Sequence, residues 1–414
     1  MQINEILFLI SLIILLGYLA EWVFRKINIP DTLLLIVVGF IIGPNILNLI
    51  NPQALGQLAP LFTTFTLLFL MFDGALSIDL RSFTEGIGSG ISIGVSNFFV
   101  STIVIGSIFY FLVDDVVLAL MLGFSLGGVS SAFIIPMLKQ ITVNKKTYSI
   151  LTLESALTDV LSIVFALTMM ELKILKTFEI NVVLSQIASL FFVAGVLGIF
   201  AGFLWIFIED KLIERDTNYM LTIAYVVLLY FISEYLGGNG AIASMTFGIV
   251  IANSKILMNL AQKFKEKRAR KKAAAEEETA KIVNIVSRRE RMFYQEISFF
   301  LKTFFFVYIG LLLDIKNLTA VAVGTGIAVS VLLLRNLSSL LTKKFKENDR
   351  LLINSLFARG IAPAAIILMA KVKNISMDQT IIDTVYVTIT ATIILSSIRV
   401  FIYKRKINKQ CKSV

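Results

Sequence analysis

The chain has 414 residues, of which 57% are hydrophobic and 16% are charged, and its mean hydropathy is +0.86. Because soluble proteins carry about 25% charged residues, this composition predicts a membrane protein. The net charge of +10 does not indicate nucleic-acid binding, since most lysines and arginines lie in alternate loops between apolar runs, which is typical of membrane proteins.

The chain contains no histidine, and Cys411 is its only cysteine. A disulfide and a cysteine-built metal site are therefore excluded, and proton chemistry near neutral pH has to use carboxylates with a shifted pKa. The sequence has no HExxH, no Walker lysine and no GxGxxG turn between a strand and a helix. We expect a non-enzyme without cofactors that draws energy from an ion gradient.

Thirteen apolar runs are long enough to cross a bilayer as helices. Their approximate bounds are 4–24, 31–50, 58–78, 86–112, 115–137, 147–171, 181–208, 218–236, 239–257, 293–313, 317–340, 349–372 and 378–403. The first run has no basic leader and no cleavage site, which indicates a retained helix. The basic loops place the N-terminus outside and the C-terminus in the cytoplasm. We expect a multi-pass protein of the cell membrane, in contact with lipids.

Asp73 lies late in the third span, where it could line a route to an ion site or act as a second acid. Further along, the fifth span is interrupted by glycines and serines at 127–131, and the twelfth by Ala-Arg-Gly at 358–360, each with a proline shortly after. The two spans run in opposite directions and are about 230 residues apart. This pattern predicts an inverted-topology repeat with two discontinuous helices that cross near the midplane. The alternative is that glycine and proline are simply common in membrane helices.

Ser130 and Ser131 lie at the predicted break of the fifth span, after Val129. Unwound backbone there frees carbonyl groups that can bind ions. A serine in a membrane helix also commonly bonds its own backbone, and both interpretations stay open.

The sixth span contains two carboxylates, and an ionised acid at this depth is costly unless it is paired or binds an ion. Asp159 and Ser155 are four residues apart and share one helix face, whereas Glu154 and Thr158 share another face about 100° away. Asp159 and Ser155 offer hard oxygen ligands to Na⁺ or Li⁺, so we expect them to form the metal-ion site. For Glu154 we favour neutralisation by a basic residue.

Three basic residues lie within later spans. Arg335 cannot lose its proton and needs a buried anion, for which Glu154 and Asp159 are the candidates. Arg359, beside Gly360 and followed by Pro363, either stabilises the helix break or acts in gating. Lys302 is expected to snorkel into a cytoplasmic funnel, with a gating role as the alternative.

The segment 258–292 is the only long hydrophilic insertion. Alanine and charged residues without glycine or proline favour a helix there, and we expect a cytoplasmic linker helix. A basic surface for anionic lipid headgroups is the alternative. Residues 404–414 form a basic cytoplasmic tail.

These motifs together resemble the monovalent cation/proton antiporter superfamily, and within it the NhaP/NHE-like Na⁺/H⁺ exchanger branch. The resemblance covers about residues 5–403 and rests on 154–159, Arg335, 358–360 and Pro363. It implies an all-α fold like that of the NhaA, NapA and NhaP antiporters, with a transmembrane domain over 1–403, and a homodimer. A core of helices at about 86–171 and 317–403 would move like an elevator, against dimerisation helices at about 4–78 and 218–313.

The resemblance also implies residue roles. Asp159 would bind the cation and the proton in competition, helped by Ser155 and Asp73, with Val129 and Ser130 at the crossing of the broken helices. Glu154 would pair with Arg335. Thr158 stands where the NhaP-like branch usually has Asn and the electrogenic branch has Asp. A single carboxylate at this dipeptide implies one proton per cation and electroneutral exchange.

The expected function is therefore exchange of Na⁺ or Li⁺ for protons across the membrane. One alternative is a K⁺/H⁺ antiporter or a gated K⁺ efflux protein on the same fold. Another is a membrane scaffold or sensor that transports nothing.

Overall fold

The computed structural model describes residues 11–12, 14–20, 22–23, 30–50, 59–76, 88–139, 141, 143–175, 180–212, 219–254, 257, 288–337 and 347–412. All regular elements in these residues are α-helices. They are α1 (Asp31–Ile42), α2 (Ala59–Leu76), α3 (Gly88–Val113), α4 (Val116–Gly127), α5 (Ser131–Lys139), α6 (Lys145–Leu175), α7 (Ile180–Leu212), α8 (Tyr219–Tyr235), α9 (Gly240–Ala252), α10 (Arg288–Leu312), α11 (Leu318–Leu337), α12 (Glu347–Ser355), α13 (Ile361–Val372) and α14 (Gln379–Lys412).

Seven of the described helical segments are long and apolar enough to cross a membrane, and five further apolar helices have 10–17 residues. The predicted all-helical, multi-span membrane fold is confirmed. The count of thirteen spans stays a prediction, because the predicted first span at 4–24 is described only in part, with helix at 14–20.

Two predicted spans are broken, as the sequence indicates. The fifth span divides into α4 and α5, and the twelfth into α12 and α13, with residues 128–130 and 356–360 outside the helices. Pro363 lies in the first turn of α13, where its missing N–H removes no helical hydrogen bond. The sixth span, in contrast, forms the uninterrupted 31-residue helix α6.

The chain divides into two compact units. The first comprises Met1–Thr66, Gly88–Phe178 and Phe299–Val414, and the second comprises Leu67–Ile87 and Glu179–Ser298. Helices α3–α6 and α11–α14, which the sequence assigns to the moving core, all lie in the first unit. The roles of core and dimerisation domain stay predictions.

In the first unit, α3 packs against α4 and α6, and α11 packs against α14 and α3. Phe98, Phe124 and Phe165 pack against one another in this core, with ring centroids 5.0–6.2 Å apart. Helices α1 and α10 approach backbone to backbone at Gly39 and Gly310, where a Cβ on either glycine would overlap a carbonyl oxygen of the other helix.

In the second unit, aromatic side chains fill the space between helices. Phe72 packs against Phe247 and Tyr294, at centroid distances of 5.9 and 5.4 Å. Arg291 donates a hydrogen bond of 2.8 Å to the carbonyl of Leu76, which ties the beginning of α10 to the end of α2.

The two predicted cytoplasmic segments are described unequally. Of the predicted linker 258–292, the structure describes only the beginning of α10 from Arg288, so the linker lies outside the described residues. Helix α14 continues into the predicted basic tail as far as Lys412, and the cytoplasmic position of this tail stays a prediction. Lys406 forms an ion pair of 3.0 Å with Glu347 at the beginning of α12.

Candidate functional site

The two helix breaks contact each other inside the first unit. The backbone N–H of Ser130 donates to the carbonyl of Ala358 at 2.9 Å. A Cβ placed on Gly360 would overlap the side chain of Ser130, so the absence of a side chain at 360 permits the crossing. The predicted meeting of two broken helices is confirmed.

Arg359 lies at this crossing and is only 2% exposed. Its guanidinium donates to the carbonyl of Gly127 at 2.8 Å and to that of Gly128. These carbonyls end α4, and a helix C-terminus carries a partial negative charge. The contact fits the interpretation that Arg359 stabilises the break, whereas its role in gating stays a prediction.

The carboxylate of Asp159 reaches the N-terminus of the other half-helix. Its Oδ2 accepts hydrogen bonds from the backbone N–H of Ser131 at 2.8 Å and from the Ser131 hydroxyl at 2.5 Å. Ser131 is the first residue of α5, and a helix N-terminus favours an anion. Asp159 is half-buried, so this oxygen-rich position is not sealed from its surroundings.

Ser155, which the sequence pairs with Asp159, is fully buried and donates to the carbonyl of Thr152 at 3.1 Å. No hydrogen bond joins Ser155 to Asp159, although both lie on the same face of α6. A hydroxyl that donates to its own helix still offers lone pairs to a cation. Among these hydroxyl groups, that of Ser131 contacts the candidate ion-binding carboxylate, and the ligand role of Ser155 stays a prediction.

Thr158 holds the break of the fifth span against α6. Its Oγ1 accepts from the backbone N–H of Val129 at 3.0 Å, and the side chain is 1% exposed. The hydroxyl lies 3.4 Å from the carbonyls of Val129 and Ser155. The sequence placed Thr158 and Val129 among the ion-binding residues, whereas the structure joins them to each other. Their role in ion binding stays a prediction.

Glu154 and Arg335 form a bidentate ion pair, as the sequence predicts. The two terminal nitrogens of Arg335 donate to the two carboxylate oxygens, one of them at 2.8 Å. Both side chains are at most 3% exposed. The Nε of Arg335 donates to the carbonyl of Ile353 at 2.9 Å, so the same residue stabilises the C-terminal turn of α12.

The structure corrects the expectation that Lys302 snorkels into a cytoplasmic funnel. Its ammonium group forms an ion pair of 2.6 Å with Asp31, both side chains are largely buried, and the ammonium lies 5.6 Å from the Phe299 ring centroid. The side chain therefore ends on a buried carboxylate and does not snorkel towards water.

Asp73 belongs to the second unit, where its Oδ2 accepts from the hydroxyl of Ser298 at 2.6 Å. Its proposed role as a second acid stays a prediction.

The sequence interpretation missed another buried acid, Asp383 on α14. Asp383 is 1% exposed and accepts hydrogen bonds from the amides of Asn317 at 3.1 Å and Gln379 at 2.7 Å. The signal that identifies Asp159, an acid within an apolar run, is present here too.

Comparison with known proteins places this geometry in a family. The family model described as "Sodium/hydrogen exchanger, transmembrane" matches residues 11–405. The Na⁺/H⁺ antiporter ApNhaP of Aphanothece halophytica is 25% identical over 335 residues, which are 77% of this chain and 58% of that protein. The K⁺/H⁺ antiporter NhaP2 of Shewanella sp. ANA-3 is 21% identical over 262 residues, which are 61% of this chain and 44% of that protein. This chain thus spans about half the length of these curated relatives.

The fold has a solved counterpart. The structure of the sodium proton antiporter MjNhaP1 from Methanocaldococcus jannaschii matches with a TM-score of 0.74 and 21% identity, over 96% of this chain and 100% of that chain. The likeness of fold and the match of the family model over almost the whole chain lead to one conclusion. The chain belongs to the sodium/hydrogen exchanger family.

Proposed function

We propose that this protein is a secondary active antiporter that exchanges a monovalent cation, Na⁺ or Li⁺, for protons across the cell membrane. The observation that carries the proposal is the position of the Asp159 carboxylate, half-buried and held at the N-terminus of α5 where two broken helices cross. Family membership and similarity to two antiporters, the Na⁺/H⁺ antiporter ApNhaP and the K⁺/H⁺ antiporter NhaP2, support cation/proton exchange.

In this mechanism the cation and the proton compete for the same carboxylate oxygens of Asp159. When neither is bound, the two donors of Ser131 and the positive end of α5 stabilise the ionised carboxylate. Binding of a cation or of a proton adds one positive charge in either case. The site therefore carries the same charge across the membrane whether the cation or the proton is bound. The exchange is electroneutral, with one proton per cation.

Three other buried charges in this unit stay fixed through the cycle. Glu154 and Arg335 neutralise each other, and Arg359 offsets the negative end of α4. These contacts tie α6, α11 and the two breaks together, which suits an elevator in which one body carries Asp159 from side to side. A homodimer, an outside N-terminus and a cytoplasmic C-terminus are parts of the same proposal.

Flux measurements in proteoliposomes test the proposal. Vesicles loaded with a pH-sensitive dye receive Na⁺, Li⁺, K⁺ or choline from outside, and the internal pH is followed. We expect alkalinisation with Na⁺ or Li⁺ and none with choline. Alkalinisation only with K⁺ would replace the Na⁺/H⁺ assignment by the K⁺/H⁺ alternative, and no proton flux with any cation would favour a non-transporting scaffold.

A further inference from the structure

A small cavity lies inside the first unit, beside the crossing of the two broken helices. Its free volume is about 10 Å³, close to what one water-sized particle needs. Among the residues that line it are the polar side chains of Asn97 and Ser101 on α3, Thr158 on α6, Arg335 on α11 and Arg359 at the second break.

Two of the residues that line this cavity, Asn97 and Arg359, each carry a buried nitrogen atom that is a hydrogen-bond donor without an acceptor. Within the described part of the chain, neither Nδ2 of Asn97 nor Nε of Arg359 has a hydrogen-bond partner. Buried polar groups are nearly always satisfied by protein or by a bound particle. Two donors from different elements around one cavity therefore indicate a shared acceptor.

The charge of Arg359 points to the same chemistry. Its guanidinium is bonded to the carbonyls of Gly127 and Gly128, and it forms no ion pair with any carboxylate that the structure describes. A donor pair of this kind repels a cation, so the cavity is chemically distinct from the Asp159 position.

We propose that this cavity binds one small hydrogen-bond acceptor, a water molecule or a halide ion such as chloride, held between Nδ2 of Asn97 and Nε of Arg359. The bound particle would link α3 to the break at Arg359 and keep the crossing in place. This inference does not depend on which cation the protein transports, or on whether it transports one.

The direct test is a crystal structure of the unmodified protein grown in bromide, with anomalous data collected at the bromine edge. An anomalous peak within hydrogen-bond distance of both nitrogen atoms assigns a halide site. Ordinary density without an anomalous peak assigns a water site. No density between the two atoms would overturn the proposal.

A stability measurement gives an independent answer. Asn97→Leu removes one donor and fills the cavity, so an occupied site predicts a melting temperature several degrees lower than that of the unmodified protein. An unchanged or higher melting temperature would mean that leucine fills a dry cavity, and would contradict the proposal. Ser107→Leu is the control on the same helix, because Ser107 is exposed and its hydroxyl donates to the carbonyl of Ile103 in its own helix. Replacing chloride by gluconate lowers the melting temperature if the particle is a halide and leaves it unchanged if it is water.

Discussion

The carboxylate of Asp159 accepts two hydrogen bonds from one residue, Ser131, through its backbone N–H at 2.8 Å and its hydroxyl at 2.5 Å. Asp159 lies in the middle of the continuous helix α6, whereas Ser131 begins the half-helix α5. The acid that we propose as the ion-binding group is thus held by the end of a broken helix. Any cation or proton that reaches Asp159 enters this arrangement.

A comparison of two serine variants tests which hydroxyl group contributes to the apparent Na⁺ affinity. Ser131→Ala removes the hydroxyl that contacts Asp159 but keeps the backbone N–H. A hydrogen bond to a charged group contributes about 1.5–3 kcal/mol. We therefore expect the apparent Na⁺ affinity of exchange to fall by about tenfold or more. Ser155→Ala should have a smaller effect, since this hydroxyl donates to Thr152. A larger loss in Ser155→Ala would favour the ligand pair that the sequence predicts.

Acidification should weaken cation uptake by competition. When Asp159 carries a proton the cation site is blocked, so the apparent KM for Na⁺ rises as the pH falls and the maximal rate at saturating Na⁺ is unchanged. With one proton per cation the rise approaches about tenfold per pH unit on the acid side. Initial rates over a grid of Na⁺ concentrations and pH values measure this slope. A rise in KM that approaches a hundredfold per pH unit would contradict 1:1 exchange. It would indicate that a second acid, such as Asp73, also binds a proton.

Breaking the ion pair between Glu154 and Arg335 should destabilise the fold. Arg335→Ala leaves a buried carboxylate without its cation, which costs about 3–5 kcal/mol. We expect a clearly lower melting temperature in detergent. Combining Arg335→Gln with Glu154→Gln removes both charges and should recover part of the loss. Unchanged stability of Arg335→Ala would show that the pair does not support the fold.

The close contact of the two breaks predicts a compensating pair of substitutions. Gly360→Ala places a methyl group into the side chain of Ser130, so we expect lower stability and loss of exchange. Adding Ser130→Gly removes the obstructing atoms and should restore both in part. The single variant Ser130→Gly serves as the control. If Gly360→Ala alone behaves like the unmodified protein, the crossing is looser than these contacts require.

The sequence indicates the broken helices and the buried ion pair because each has a local signal. Glycine and proline mark 127–131 and 358–363, and a buried arginine such as Arg335 needs an acid. The partners that depend on packing have no such signal. Ser131 meets Asp159 from a different helix, and Lys302 meets Asp31 from 271 residues away. Helical spacing instead joined Asp159 to Ser155, because periodicity reports faces of one helix and not contacts between helices.

The sequence interpretation missed Asp383 for a different reason. Its position in an apolar run near the beginning of α14 is as visible in the sequence as that of Asp159. The difference lies in their neighbours, since Asp383 accepts hydrogen bonds from two amides, whereas Asp159 lies at the crossing of the breaks. Only packing separates a buried acid that joins helices from one that is placed to bind an ion.

Replacement of the central carboxylate tests this account most directly. Asp159→Asn keeps the size of the side chain but removes the negative charge for which cation and proton compete, and Asp383→Asn is the matched control at a second buried acid. Both variants, with melting temperatures near that of the unmodified protein, are reconstituted in dye-loaded vesicles and given a Na⁺ gradient. We predict that Asp159→Asn shows no more alkalinisation than protein-free vesicles, while Asp383→Asn still exchanges. Na⁺-driven proton flux in Asp159→Asn at the unmodified rate would contradict the assignment of Asp159 as the shared binding site.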